Sequence, residues 1–295
     1  MACLLLTGAS GYLGRRVALR VAARADIEQL WAGYSRSLDR VVAGEPLRVS
    51  LDSGSQLETV IREAAPTCII HTAALNPGGD PARMTEINRD GSRRVAEIAR
   101  EIGARLVHVS SDVVHDGTRA PYGDADPPSA RRGYGLSKAE AEAAVIRAHR
   151  DAAIVRPSLI YGLEEMDRGT EGFAARLAAG EPVRLFRDEL RQPVWVESLA
   201  EALISLALDH PDFSGTLNVV GDQVLSREEY GRRMLEWWGV EGREQVESIL
   251  ARDLESPPPL DLRMENGKAK RILGIELPGV DAVLQIGRRA QNRIG

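Results

Sequence analysis

Only two cysteines occur among the 295 residues, Cys3 and Cys68. Each sits in an apolar run of strand character, which reads as a buried thiol and not as half of a disulfide. Long hydrophobic runs are missing as well. The longest, LLL at 4–6 and VLQI at 283–286, are far too short to cross a bilayer. Met1 leads into a strand-like run within two residues, which predicts that no signal peptide precedes the fold. Positive charge is not in excess: the net charge of −5 leaves no basic footprint for nucleic acid, and no block of like charges marks a tail. The five histidines follow no metal spacing. In CIIH, Cys68 and His71 read as a packed thiol and a hydrogen-bonded imidazole at a strand end, not as zinc ligands. No repeat and no low-complexity tract occurs. These absences predict a cytoplasmic globular protein with a small-molecule partner and neither metal, membrane nor nucleic acid.

What is present is regular. The composition, 43% hydrophobic and 27% charged, is that of an ordinary globular chain, long enough for one large α/β domain or two smaller ones. Short apolar runs (ACLLLTG, QLWAGY, PLRVSLD, TCIIHTAA, ARLVHVSSD, AAIVRPS) alternate with helical stretches. The stretches lie after Gly11, at 54–65, at 82–102 and from about Tyr134 to Arg150. Strands that read as near-continuous apolar runs are buried on both faces, so a doubly wound parallel sheet is expected over residues 1–160. From about 161 to 295 the pattern becomes loop-rich, with helices at 197–209, 227–238 and 281–293. This predicts a smaller, interleaved substrate-binding region, the chain returning to the first domain near 192–210. Trp237 and Trp238 read as core of that region.

TGASGYLG joins the first strand to the first helix. Gly8 permits the tight turn, Gly11 lets backbone approach a pyrophosphate, and Gly14 lets the helix pack close to the sheet. Three glycines at this junction predict a dinucleotide-binding, Rossmann-type fold. The second strand ends in SRS, with no carboxylate before Asp39. A carboxylate there suits the ribose hydroxyl of NAD, whereas Ser35 and Arg36 suit the 2′-phosphate of NADP, which is therefore favoured. Arg15 could assist. Asp52, after the third strand, is placed to reach the adenine edge or to cap the next helix.

Ser110 and Ser111 arrive at the carboxyl edge of the sheet before YGLSK, in which Tyr134 and Lys138 are four apart and share a helix face. A phenol has a pKa of about 10. A neighbouring ammonium lowers it, and a serine hydroxyl can hold a carbonyl or hydroxyl oxygen. Together they would form a relay for hydride transfer at a carbon–oxygen bond.

TGASGYLG, Ser111 and YGLSK, in this order, resemble the extended short-chain dehydrogenase/reductase family. SSDVVHDGTRAPYGDADPP followed by YGLSKAEAE resembles its sugar-nucleotide reductase branch, which reads S-T-D-x-V-F-D-G, then P-Y-x-E, then Y-G-x-S-K. IVRPSLIYG, RQPVWVESLAEAL and DLRMENGKAKRILGI resemble later segments, so the likeness spans nearly the whole chain. It implies that Tyr134 is the proton donor, that Lys138 lowers its pKa and holds the nicotinamide ribose, and that Ser111 orients the substrate oxygen. It also implies cofactor contacts from Ser10, Tyr12, Leu13, Ala73, Ala74 and Pro157, beside Gly8, Gly11, Gly14, Ser35, Arg36, Asp52 and Lys138. His115 and Arg191 are candidates for the substrate, the latter for a diphosphate. Asn88 reads as support for the cofactor side of the sheet or as an ordinary helix amide, and Glu197, in place of an Asp, as structural. His115 for the usual Phe and Leu159 for a frequent aromatic predict weak turnover of thymidine-diphospho sugars. The expected activity is NADP-dependent reduction of a keto-sugar. The alternatives are an epimerase or dehydratase that recycles its cofactor, and a cofactor-binding regulatory subunit without turnover. A homodimer is compatible with the resemblance.

Overall fold

The computed structural model describes residues 1–52, 54–78 and 80–292. Seven parallel strands form the central sheet: β1 Ala2–Thr7, β2 Ile27–Tyr34, β3 Glu45–Arg48, β4 Cys68–His71, β5 Arg105–Val109, β6 Ala153–Pro157 and β7 Gly215–Val219. Their order is β7-β6-β5-β4-β1-β2-β3. β1 explains why such strands read as unbroken apolar runs. Leu4 and Leu6 enter one core while Leu5 enters the other, and all three are fully buried. Burial of one such side chain is worth roughly 1.5–3 kcal/mol.

Helices α1 (Tyr12–Ala22) and α6 (Val196–Leu208) cover one face. Helices α2 (Gly54–Ala64), α3 (Ser92–Glu101) and α4 (Gly133–Ala148) cover the other. Glu197, at the start of α6, pairs with Arg16 and Arg20 of α1 at 2.6 and 2.8 Å, a structural role that fixes the two helices together. The chain leaves β1 for β2 on one side and β4 on the other. This reversal opens a crevice above the carboxyl ends of the strands, where open α/β sheets bind ligands.

Helices α5 (Arg168–Ala178), α7 (Arg227–Trp237) and α9 (Val280–Gln291) follow in smaller cores, with three two-stranded pairings, while α8 (Gly267–Leu273) returns Ala269 and Leu273 to the core shared by α1 and α6. Trp237 and Trp238 pack in one of them. Residue 293, the end of the last expected helix, lies outside the described residues.

Two features depart from the sequence reading. β7 joins the sheet beyond residue 210, pairing Gly215 with Ala153. Its exposed edge is capped where the Asn218 N–H donates to the Asp124 carboxylate at 2.6 Å. The stretch expected as one helix over 82–102 is interrupted by a π-helical segment, Thr85–Gly91. At its end a Cβ on Gly91 would come within 2.7 Å of Leu51 Cβ, so only glycine allows this approach. Such bulges commonly re-aim a side chain. Here Asn88 is turned inward, fully buried.

Candidate active site

The loop from Thr7 to Gly14 lies at the reversal point. Gly8 has φ +75°, and a Cβ there would stand 2.8 Å from Thr72 Oγ1 and 2.9 Å from the Ala73 nitrogen. A Cβ on Gly14 would overlap the Gly8 carbonyl. α1 begins without a side-chain cap at Gly11, so N–H groups of its first turn remain free for an anion. At the end of β2, Ser35 and Arg36 are exposed, and Arg36 makes no ion pair among the described residues. Arg15 is committed elsewhere: it donates to the Ser10 carbonyl at 2.7 Å and pairs with Glu165. Asp52 accepts from Ser50 and from Arg83 at 3.1 Å, which holds it below the usual carboxylate range. Whether it caps α2 falls partly on residue 53, outside the described residues.

One cleft of about 1490 Å³ joins these residues to the reacting centre. Its walls include Gly8, Ser10, Gly11, Tyr12, Leu13, Gly14, Ser35, Arg36, Asp52, Ala73, Ala74 and Pro157 at one end, and Ser111, Tyr134 and Lys138 further along. A single drug-sized ligand fills about 300–1,000 Å³; this volume accommodates a dinucleotide and a second molecule. The glycine cradle and the uncapped helix start fit a nicotinamide dinucleotide.

Tyr134 and Lys138 stand in the first two turns of α4. Lys138 is buried and its ammonium donates to the Val109 carbonyl at 2.7 Å. Burial pulls it down to about 8, Glu142 opposing. Beneath it His71 and His108 face each other at 5.2 Å, both held neutral by burial. The expected lowering of the phenol by Lys138 is not what this arrangement produces. Burial pushes Tyr134 up to about 12, and the Asp112 carboxylate adds to the rise. The phenol therefore keeps its proton at neutral pH, as an acid must. Asn88 secures the helix start: its side chain bonds both backbone groups of Leu75 at 2.7 and 3.1 Å and donates to Ser137 at 3.0 Å.

Two candidates lie elsewhere. His115 is fully buried, stacked on Tyr122 at 3.9 Å and 9° with Arg156 nearby, so it faces the interior and not the cleft. With it goes half of the argument against thymidine nucleotides; Leu159 does line the cleft. Arg191 is likewise buried and paired with Glu189 at 2.7 Å and Asp112 at 3.7 Å, so it presents no free guanidinium to a diphosphate.

The sequence reading missed Arg48, Arg168 and Ser158, which also line the cleft. Arg48 pairs with Tyr34 in register, which sets it beside Arg36. It missed, too, the segment 163–167 that straps α1: the Glu165 carbonyl accepts from Tyr12 at 3.0 Å, and Glu164 pairs with Arg16 at 2.6 Å. No local signal marks these contacts, which span about 150 positions in the chain.

Comparison with known proteins decides the family. The family described as RmlD substrate binding domain matches residues 1–285. The chain belongs to it. This is the extended short-chain dehydrogenase/reductase type that the motifs resemble. A dTDP-4-dehydrorhamnose reductase of Sinorhizobium fredii is 27% identical over 293 residues, covering 93% of each chain. Methionine adenosyltransferase 2 subunit beta of Bos taurus is 29% identical over 238 residues, 76% of this chain and 69% of that one. The structure of dTDP-4-dehydrorhamnose reductase from Bacillus anthracis in complex with NADP has a TM-score of 0.78 at 23% identity, with 96% of each chain covered, a likeness of fold. Among the described residues no helix is long and apolar enough to cross a membrane, and no cluster of metal-binding side chains occurs.

Proposed function

We propose that the chain is an NADP-dependent reductase of a keto group on a nucleotide-linked sugar. One observation carries this reading: the glycine loop and unpaired Arg36 share a single cleft with Tyr134, Lys138 and Ser111. Gly8, Gly11, Gly14 and the first turn of α1 would hold the pyrophosphate, Ser35 and Arg36 the 2′-phosphate, and Lys138 the nicotinamide ribose. When bound, the cofactor supplies the hydride. Tyr134, protonated at neutral pH, gives its proton to the carbonyl oxygen, and Ser111 orients the sugar. The reductase relatives support this reading. The test is NADPH oxidation with thymidine-, uridine- and guanosine-diphospho-4-keto-6-deoxyhexoses. Turnover of one of them supports the proposal, and failure of all three while NADPH binds contradicts it.

A second reading, a cofactor-binding subunit of another enzyme, is favoured by the likeness to the methionine adenosyltransferase subunit. The same assay separates the two.

Cofactor choice has its own test. NADPH is expected to bind more tightly than NADH, and Arg36→Ala to erase most of that preference, since the guanidinium has no charge partner among the described residues. Fluorescence titration of both cofactors checks this; equal affinities in the parent would refute it.

A further inference from the structure

Beneath the cleft lies a buried polar chain that the proposed reaction does not use. Asp112, 3% exposed, follows Ser111 in the turn after β5. The Ser111 hydroxyl donates to its Oδ1 at 3.1 Å, and the Ser158 hydroxyl donates to its Oδ2 at 2.6 Å. Arg191 Nε stands 3.7 Å from Oδ2 and holds Glu189 at 2.7 Å with its other end. Glu189 in turn faces Arg227 at 3.9 Å. A carboxylate can be buried this way only because donors surround it.

α4 presses closely on the same turn, since a Cβ on Gly135 would overlap the Val113 carbonyl. That contact brings the Asp112 carboxylate within electrostatic reach of Tyr134, next to Gly135. Ser111 and Ser158 reach up from this buried carboxylate into the cleft walls.

We propose that Asp112, clamped by Ser158 and Arg191, is a positioning residue that fixes the direction of the Ser111 hydroxyl and holds the proton on Tyr134. An ionised carboxylate only accepts hydrogen bonds. The Ser111 proton is therefore directed inward, the oxygen accepts from the Val113 N–H at 3.5 Å, and its second lone pair is left for the cleft. Ser111 accepts a hydrogen bond from a hydroxyl of the substrate, and Tyr134 is left as the donor to the carbonyl oxygen. A site so arranged suits a ketone flanked by hydroxyl groups, as in a sugar, better than an isolated ketone. This rests on the reductase reading for Ser111 and Tyr134 but concerns a residue outside the cleft.

The charged groups around the phenol are few. Asp112 faces it from the turn after β5, and Lys138 lies one turn along its own helix. Asp167 and Arg168 also line the cleft, from the start of α5. Arg191, Glu189 and Arg227 stand behind Asp112, while His71 and His108, behind Lys138, are neutral. Removing the Asp112 charge deletes the carboxylate that opposes ionisation of Tyr134.

The first arm of the test needs no substrate. Tyr134 ionisation is read as the ultraviolet difference between each protein and its Tyr134→Phe counterpart. In Asp112→Asn it is expected to occur lower than in the parent by roughly one pH unit, with NADPH affinity within about twofold. Ser158→Ala keeps the charge, so its Tyr134 should ionise as in the parent. It also serves if the first variant does not fold, because it loosens the clamp on Ser111 alone. The second arm is a double-mutant cycle between Ser111 and Ser158, run with NADPH and whichever of the three nucleotide-diphospho-4-keto-6-deoxyhexoses the parent turns over. If the clamp acts through Ser111, adding Ser158→Ala to Ser111→Ala should cost little further rate. An unmoved Tyr134 titration in Asp112→Asn, or full additivity in the cycle, overturns the inference and leaves the reductase reading standing. Absence of turnover in the parent with all three nucleotide-diphospho sugars would overturn the reductase reading, while the titration would still decide the role of Asp112 toward Tyr134.

Discussion

Tyr134→Phe is expected to lower turnover by about 10²–10⁴-fold while NADPH affinity stays near that of the parent. The substitution removes one hydroxyl and leaves the ring and the start of α4 in place. Lys138→Met should behave differently. Its ammonium holds the Val109 carbonyl and, in the proposed complex, the ribose, so turnover and cofactor affinity should fall together. Ser111→Ala should lower turnover with little change in affinity. The pH profile separates the two ionisable groups. Lys138 loses its proton as pH rises through about 8, well before Tyr134, whose proton is held to about 12. The rate of reduction should therefore decline through an alkaline limb near 8 that disappears in Lys138→Met. A cofactor titration beside a rate assay on each variant checks these outcomes. Full activity in Tyr134→Phe would reduce YGLSK to an ordinary helix start.

Glu142→Ala is expected to destabilise the fold by about 3–5 kcal/mol, read as a shift of the denaturant midpoint. Glu142 on α4 and Arg156 on β6 form a two-pronged pair at 2.7 and 2.9 Å, with side chains only 2% and 3% exposed. Arg156 also donates to the Asp126 carbonyl at 3.0 Å. Truncating the glutamate strands a guanidinium in the interior, and that uncompensated charge is the source of the loss. Replacing both partners with leucine should cost far less than the single change, because the desolvation penalty disappears with the charges. A loss below about 1 kcal/mol, the range of an exposed pair, would show that water reaches the site.

What could be read from the sequence follows from distance along the chain. The glycine loop is local, its residues three apart, and the strand–helix junction on either side is visible in the apolar pattern. Tyr134 and Lys138 are one helical turn apart, and Ser111 marks a strand end. All of these meet in one cleft. The sheet was legible for the same reason: five of its strands are largely apolar, and the third, EPLR, borders the apolar stretch that follows it. The seventh, GTLNV, carries Asn218, whose burial becomes clear only once Asp124 and the Tyr122 carbonyl are seen to bond it. His115 and Arg191 went astray because their surroundings are set by remote partners. Arg191 meets Asp112 across 79 positions, and His115 meets Arg156 across 41. A charge in a loop-rich stretch looks like a surface group until its partners are known. The π-helical segment carries no local signal, and the residue packed against its Gly91, Leu51, lies forty positions upstream.

The most direct measurement is the fate of a label. NADPH carrying deuterium at the transferable position of the nicotinamide is incubated with the protein and a nucleotide-diphospho-4-keto-6-deoxyhexose. The account predicts one equivalent of NADPH consumed per sugar, with deuterium bound to the new carbinol carbon and loss of both in Tyr134→Phe. Conversion of the sugar without net consumption of NADPH would contradict it and assign the cleft to a cofactor-recycling epimerase or dehydratase.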